Sequence, residues 1–106
     1  MSLADKKCVP CEGGTPPIGE AEAQKLIAEA PGWVLKEGHV WREFKFRNFR
    51  DAMAFVNKVA GVAEEEGHHP DMQIRYNRVS LELWTHAING LSENDFILAA
   101  KINKLL

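Results

Sequence analysis

The sequence predicts an α+β domain with the element order αββαββα, in which a four-stranded antiparallel sheet has helices packed on one face. Two segments alternate apolar and polar residues with a period of two, and a short turn interrupts each, which is typical of β-hairpins. A long apolar stripe at helical spacing separates these hairpins, and helical segments begin and end the domain. Antiparallel strands grouped between helices favour one sheet covered on one side.

The composition limits the classes of function. A chain of 106 residues is one domain, and its net charge of −2 provides no electrostatic argument for nucleic acid or an anionic membrane as the main partner. No apolar run approaches the roughly 18 residues that span a bilayer. The opening "MSLADKK" lacks the apolar segment of a secretory signal, so we expect a cytoplasmic protein.

The N-terminal stretch differs from the rest. We divide the chain into an irregular tail, residues 1–17, and a single domain, residues 18–106. The tail contains the two cysteines, Cys8 and Cys11, in "CVPCEGGTPP". A C-x-x-C pair can be a redox pair or half of a zinc site, but the Gly/Pro-rich context and the lack of nearby ligands favour a tail without such a role.

The first half of the domain has clear boundaries. A helix is predicted from Gly19 to Ala30, because "GEAEAQKLIAEA" is rich in helix formers and is followed by "PG". The segment "WVLKEGHVWREFKFR" predicts a hairpin that turns at Glu37-Gly38. Asn48 then begins a long amphipathic helix as its N-cap, and Gly67 ends it.

The second half is predicted to be a hairpin followed by a helix. "MQIRY" and "VSLELWTH" are joined through Asn77-Arg78, and a two-residue loop there places His86 across from His69. The last helix, "FILAAKINKLL", is preceded by a capping-box-like pair and a hydrophobic staple, formed by Ser92 with Asp95 and by Leu91 with Phe96.

The stretch "EEEGHHP", residues 64–70, carries the strongest functional signal. It sets His68 and His69 just past the helix end, and the hairpin register brings His86 to them. Two imidazoles in one pocket can divide the roles of acid and base. Glu64 stands one helical turn before His68, where its carboxylate is expected to favour the charged form of that imidazole. Pro70 directs the chain into an extended strand.

Spacing alone leaves alternatives open. The three histidines fit acid/base catalysis, but they also fit a three-histidine zinc site. Trp84 shares a strand face with His86, as core packing or as a stacking platform. Asp95 faces the same region, although its role as a helix cap is a sufficient explanation. His39 lies beside the first hairpin turn and is predicted to be a surface residue.

Two stretches, "EEEGHHPDMQIRYN" and "THAINGLSENDF", resemble the pterin-4a-carbinolamine dehydratases. The shared motif is a glutamate, three residues, His-His-Pro, a Tyr-Asn turn, and Thr-His followed by Gly-Leu-Ser-x-x-Asp, over residues 64–95. The resemblance extends over about residues 18–106. Met72 departs from the animal enzymes, which carry tryptophan in this part of the pocket wall, though methionine can fill the space.

The resemblance implies dehydration of 4a-hydroxytetrahydrobiopterin (the pterin carbinolamine) to quinonoid dihydropterin and water, which recycles the cofactor of aromatic amino acid hydroxylases. It implies metal-free catalysis by histidines with no bound cofactor. His68 and His86 would transfer protons, and His69 would bind and orient the pterin. The residues expected to bind the substrate or orient these histidines are Glu64, Pro70, Met72, Trp84 and Asp95.

The resemblance also implies an alternative and an assembly. In animals the same fold serves as a dimerisation cofactor for a transcription factor, so a non-catalytic pterin-binding or partner-binding protein stays open as a second class. Members of the family form dimers and tetramers. Apolar residues on more than one face of the long helix, Phe55 and Val62 beside the main stripe, also favour a homodimer or homotetramer.

Overall fold

The computed structural model of the protein describes residues 2–9 and 16–106. Two single 3₁₀ turns, Leu3–Asp5 and His86–Ile88, accompany the main elements. The helices and strands follow the predicted order αββαββα: α1 Glu20–Ile27, β1 Val34–Lys36, β2 His39–Lys45, α2 Phe49–Glu66, β3 Asp71–Arg75, β4 Arg78–Leu83 and α3 Glu93–Asn103.

The four strands form one antiparallel sheet in the order β1-β2-β4-β3. Burial alternates along the central strand β4, where Val79, Leu81 and Leu83 are fully buried. These side chains face the core, in which α2 and α3 contact the sheet and each other. The opposite face of β4 is only partly covered, so the predicted α+β class with helices on one face is confirmed.

Local capping determines where the functional segments begin. The Asn48 side chain accepts a hydrogen bond from the Asp51 amide at 2.8 Å and starts α2. α2 ends at Gly67, whose φ of 67° is the left-handed conformation that glycine adopts most easily. Ser92 and Asp95 form the predicted capping box of α3. The C-terminal end of α2 and the N-terminal end of α3 are therefore each fixed by local contacts.

The predicted turn of the second hairpin is wrong by one residue. The two-residue loop is Tyr76-Asn77, and Arg75 pairs with Arg78. Asn77 is held at this position because its side-chain amide donates to the Phe46 carbonyl and its own carbonyl accepts from the Phe46 amide, both at 2.8 Å. Tyr76 consequently takes a φ of 55°.

The different turn shifts the strand pairing by two residues, with Asp71 opposite Glu82 rather than residue 84. A shift of two keeps every side chain on its predicted face. His86 therefore does not lie on the strand opposite His69. β4 ends at Leu83, and His86 begins the 3₁₀ turn that follows.

The long helix uses its second apolar face inside the domain. Phe55 is 4% exposed, and its ring centroid lies 4.7 Å from that of Phe44 and 5.0 Å from that of Phe46. Val62 is partly buried against the same core. The argument for an oligomer from these two side chains is therefore wrong, and a homodimer or homotetramer stays a prediction.

The N-terminal segment was predicted as an irregular tail, but part of it lies along α3. Leu3 is buried, and the Lys101 ammonium donates to the Ala4 carbonyl at 2.9 Å. Residue 9 reaches the start of α3, where the Val9 amide donates to Asn94 Oδ1 at 2.9 Å. Residues 2–9 thus have a fixed place on the domain; Cys11 lies outside the described residues.

Candidate active site

A cavity of about 500 Å³ lies where the C-terminal end of α2 meets the N-terminal end of α3. His68 and His69 enter it from the end of α2, and His86 enters it from the 3₁₀ turn after β4. The structure therefore brings the three predicted histidines together from two chain segments. Pro70 and Trp84 complete the part of the lining that the sequence predicted.

His68 is tied to a buried carboxylate. Its Nε2 lies 2.6 Å from Asp95 Oδ1, and the two side chains are 12% and 0% exposed. The other oxygen, Asp95 Oδ2, accepts hydrogen bonds from the Thr85 hydroxyl and the Ser92 amide, both at 2.9 Å. One carboxylate therefore acts as the helix cap and as the anchor of the histidine.

The contact with Asp95 also determines the chemistry that His68 can perform. A carboxylate accepts the Nε2–H proton, and this selects the tautomer in which Nδ1 has the free lone pair. Because Asp95 is itself held by two further donors, the imidazole ring has little freedom to rotate. His68 thus has the fixed orientation and the free ring nitrogen that a general base requires.

His69 has a different partner and a different environment. Its Nε2 lies 2.5 Å from Glu64 Oε2, with side chains that are 59% and 77% exposed. Glu64 therefore contacts His69 rather than His68, the histidine on which its charge was expected to act. The reason is the left-handed Gly67, which redirects the chain after α2, so helical i, i+4 spacing no longer applies to the residues beyond it.

Trp84 supports the third histidine. The Trp84 and His86 rings stack with centroids 3.8 Å apart and planes 24° apart. The Trp84 indole N–H donates to Asp71 Oδ2 at 3.1 Å, which fixes the ring against β3. The indole also packs against the hydrophobic core, so Trp84 makes both kinds of contact that the sequence left open, core packing and ring stacking.

Met72 is not placed as predicted. It is partly buried against the hydrophobic core, and its cross-strand partner is the fully buried Leu81. Alternation along β3 places Asp71 on the opposite side, and Asp71 lines the cavity. The assignment of Met72 to the pocket wall is therefore wrong, and the neighbouring carboxylate occupies that place.

Several residues near the cavity were missed. Asp71, Val9 and Asn94 line it, and His39 lies behind Trp84, with ring centroids 4.8 Å apart. Strand alternation could have found Asp71, since it faces opposite to Met72. Nothing in the sequence of the tail indicates that Val9 reaches the cavity. His39 is only partly exposed, so its assignment as a surface residue is incomplete.

The zinc alternative requires three or four ligands close together in space. Among residues 2–9 and 16–106, no three His, Cys, Asp or Glu side chains are arranged to hold a metal ion. The three imidazoles are instead hydrogen-bonded to carboxylates or stacked on an aromatic ring.

The part of the chain that the structure describes has no helix long and apolar enough to cross a membrane.

Comparison with known proteins identifies the family. The family model described as pterin 4 alpha carbinolamine dehydratase matches residues 16–105. The chain belongs to this family. A Rickettsia canadensis protein that bears the family's name is 53% identical over 102 residues, or 94% of each chain. A Nitrosomonas eutropha protein with the same name is 53% identical over 105 residues, which cover 98% of this chain and 93% of that one.

The fold comparison agrees with the sequence comparison. The crystal structure of a transcriptional coactivator/pterin dehydratase from Brucella melitensis has a TM-score of 0.80 and 34% identity to the chain. The match covers 84% of this chain and 97% of that one. As a member of this family the protein is an enzyme of the hydro-lyase class, a pterin carbinolamine dehydratase.

Proposed function

We propose that the protein dehydrates 4a-hydroxytetrahydrobiopterin to quinonoid dihydropterin and water by histidine acid/base catalysis without a metal, and so recycles the cofactor of aromatic amino acid hydroxylases. One observation supports this proposal most strongly. Three imidazoles from two chain segments line one cavity of about 500 Å³. This volume is within the range of ligand-binding pockets, so it accommodates a bicyclic pterin.

The reaction requires two proton transfers. The bond between the ring carbon and its hydroxyl oxygen breaks, and a double bond forms between that carbon and the neighbouring ring nitrogen. The leaving oxygen takes up one proton and departs as water, while the ring nitrogen loses one proton. No electron leaves or enters the molecule, so an acid and a base in the same cavity are sufficient.

The structure supports different roles for the three histidines. His68 is oriented by the buried Asp95, and His86 is supported by the ring of Trp84, so these two are the proposed proton-transfer groups. His69 lines the cavity and pairs with Glu64, which lies outside the lining; both side chains are exposed, so the pair is suited to bind and orient the polar edge of the pterin. Pro70 contributes to the cavity wall.

The proposal is tested by the dehydration rate of freshly generated carbinolamine, corrected for the spontaneous reaction. His68→Ala and His86→Ala should each lower the enzymatic rate by about 10²–10⁴-fold, because each removes one proton-transfer group. Circular dichroism and thermal unfolding serve as controls for folding. Rates near that of the wild type in both folded variants would contradict the assignment.

A second function has one supporting observation. The name of the Brucella melitensis protein includes transcriptional coactivator, and that protein has the same fold. A non-catalytic pterin-binding or dimerisation-cofactor role predicts a stable protein partner in a pull-down and no pterin turnover. Turnover that depends on His68 and His86 favours the enzyme.

A further inference from the structure

Three aromatic rings form a continuous stack beside the cavity: His39, Trp84 and His86. The His39 and Trp84 rings are 4.8 Å apart between centroids and lie 8° from parallel. Trp84 also stacks with His86, with ring centroids 3.8 Å apart and ring planes 24° apart. The His86 end of the stack lines the cavity, whereas His39 lies outside its lining.

The stack follows from the strand register. Val40 on β2 pairs with Leu83 on β4. Because the strands are antiparallel, the residue before Val40, His39, lies opposite the residue after Leu83, Trp84. Both point away from the core, because Val40 and Leu83 are fully buried. Flat side chains at directly opposed positions of an antiparallel pair contact one another closely.

Carboxylates hold two of the three rings, the outer His39 and the central Trp84. The His39 Nδ1 is hydrogen-bonded to Glu82 Oε2, and the Trp84 indole N–H donates to Asp71 Oδ2. Asp71 and Glu82 are themselves cross-strand partners. The rings of His39 and Trp84 are therefore fixed by hydrogen bonds to side chains of β4 and β3.

His86 needs such support. It begins a three-residue 3₁₀ turn and is exposed, so burial does not restrict its ring. The His68 ring, by contrast, is fixed by Asp95. The Trp84 face is the contact that orients the His86 imidazole, and the His39 ring restricts how far Trp84 can tilt away.

We propose that His39 is a positioning residue for the dehydration reaction. By stacking on Trp84, it holds the indole ring in place and thereby orients His86 toward the bound pterin. This inference rests on the proposed function, in which His86 transfers a proton. It gives β2, whose residues do not line the cavity, a role in the geometry of catalysis.

The test compares two substitutions of similar size that differ in planarity. His39→Leu removes the flat ring and should lower kcat by about 5- to 20-fold with little change in KM, since small misplacements of a proton-transfer group are costly. His39→Phe keeps a flat ring without the bond to Glu82 and should retain at least half of the wild-type kcat. Trp41→Leu, two residues along the same strand face, is the matched control and should leave kcat unchanged.

A second measurement does not depend on activity. In the NMR spectrum of the wild type, nuclear Overhauser contacts should link the ring protons of His39 to Trp84 and those of Trp84 to His86. In His39→Leu, the ring-proton signals of His86 should move toward their unfolded positions, and in His39→Phe they should stay near the wild-type values.

The outcomes separate this inference from the proposed function. A wild type without turnover would contradict the proposed function, and the NMR contacts would still show whether His39 orients His86. Wild-type kcat in His39→Leu with unchanged His86 signals would overturn the inference and leave the function intact. Equal losses in His39→Leu and His39→Phe would also overturn it, because the bond to Glu82 would then matter rather than the ring.

Discussion

Two adjacent histidines line the same cavity, and each is paired with a carboxylate, but the two pairs differ in burial. His68 and Asp95 are 12% and 0% exposed, whereas His69 and Glu64 are 59% and 77% exposed. The two histidines are neighbours in the chain, and the separations between the paired atoms are almost equal, 2.6 and 2.5 Å. The turn at Gly67 therefore places two adjacent histidines in different environments.

The difference in burial determines what each pair can do. Water screens an exposed pair, and long side chains must lose conformational freedom to form it, so such pairs typically contribute 0–1 kcal/mol. A buried carboxylate with several donors is held rigidly, and the groups around it would be left without partners if it were removed. The buried pair is therefore suited to chemistry that depends on orientation, and the exposed pair to contact with a ligand.

The same amide substitution in both pairs should affect turnover very differently. Asp95→Asn should lower turnover by about 10²-fold, because an amide NH₂ placed toward His68 disfavours the Nε2–H tautomer. Glu64→Gln should lower turnover less than about threefold, since an exposed pair can rearrange. Steady-state dehydration assays on both variants check this. Similar losses in the two would mean that burial does not distinguish the pairs.

Stability should show the same contrast on a smaller scale. Asp95→Ala leaves the Thr85 hydroxyl, the Ser92 amide and the His68 ring without their common acceptor, so the free energy of unfolding should fall by about 3 kcal/mol. Glu64→Ala should change it little, because most surface substitutions have small effects. Urea denaturation of each variant measures both values. An Asp95→Ala protein as stable as the wild type would contradict the described network.

Burial beside α3 also predicts the reactivity of one thiol. Burial of Cys8, together with the nearby Glu66 carboxylate, raises the pKa of its thiol to about 12. The thiolate is the reactive form, so in a Cys11→Ser variant, which keeps Cys8 as its only thiol, native alkylation at pH 8 should be about 30-fold slower than in urea.

The raised pKa of Cys8 also gives the sign of the pH effect on stability. The unfolded chain loses its thiol proton first, so stability should decrease as the pH rises from about 9 to about 12. Native and unfolded alkylation rates within a few-fold of each other would contradict the burial of Cys8.

The sequence predicted the elements because their signals are local. Helix caps at Asn48, Gly67 and Ser92 and the alternation along β4 involve residues a few positions apart, and the structure confirms each of them. The convergence of the histidines was also predicted, although through a register that is wrong by two residues. A slip of two preserves the faces of the paired residues, but His86 reaches the cavity from the 3₁₀ turn after β4, which the predicted pairing did not include.

The errors concern contacts between segments that are distant in sequence. Asn77 is the better turn residue by composition, but its hydrogen bonds to Phe46 hold it one position later in the turn. The partner of His68 is 27 residues away on another helix, beyond the reach of spacing rules. His39 approaches Trp84 only once β2 and β4 are paired.

The contrast in burial between His68 and His69 should appear as a contrast in their catalytic roles. Single-turnover dehydration with His68→Ala and His69→Ala, measured over a range of carbinolamine concentrations, tests it. The structure predicts that His68→Ala lowers the rate at saturation by about 10²-fold or more. His69→Ala should instead raise the half-saturating concentration by about tenfold and keep the saturated rate within about threefold of the wild type. Equal losses of the saturated rate, or a larger loss in His69→Ala, would contradict it.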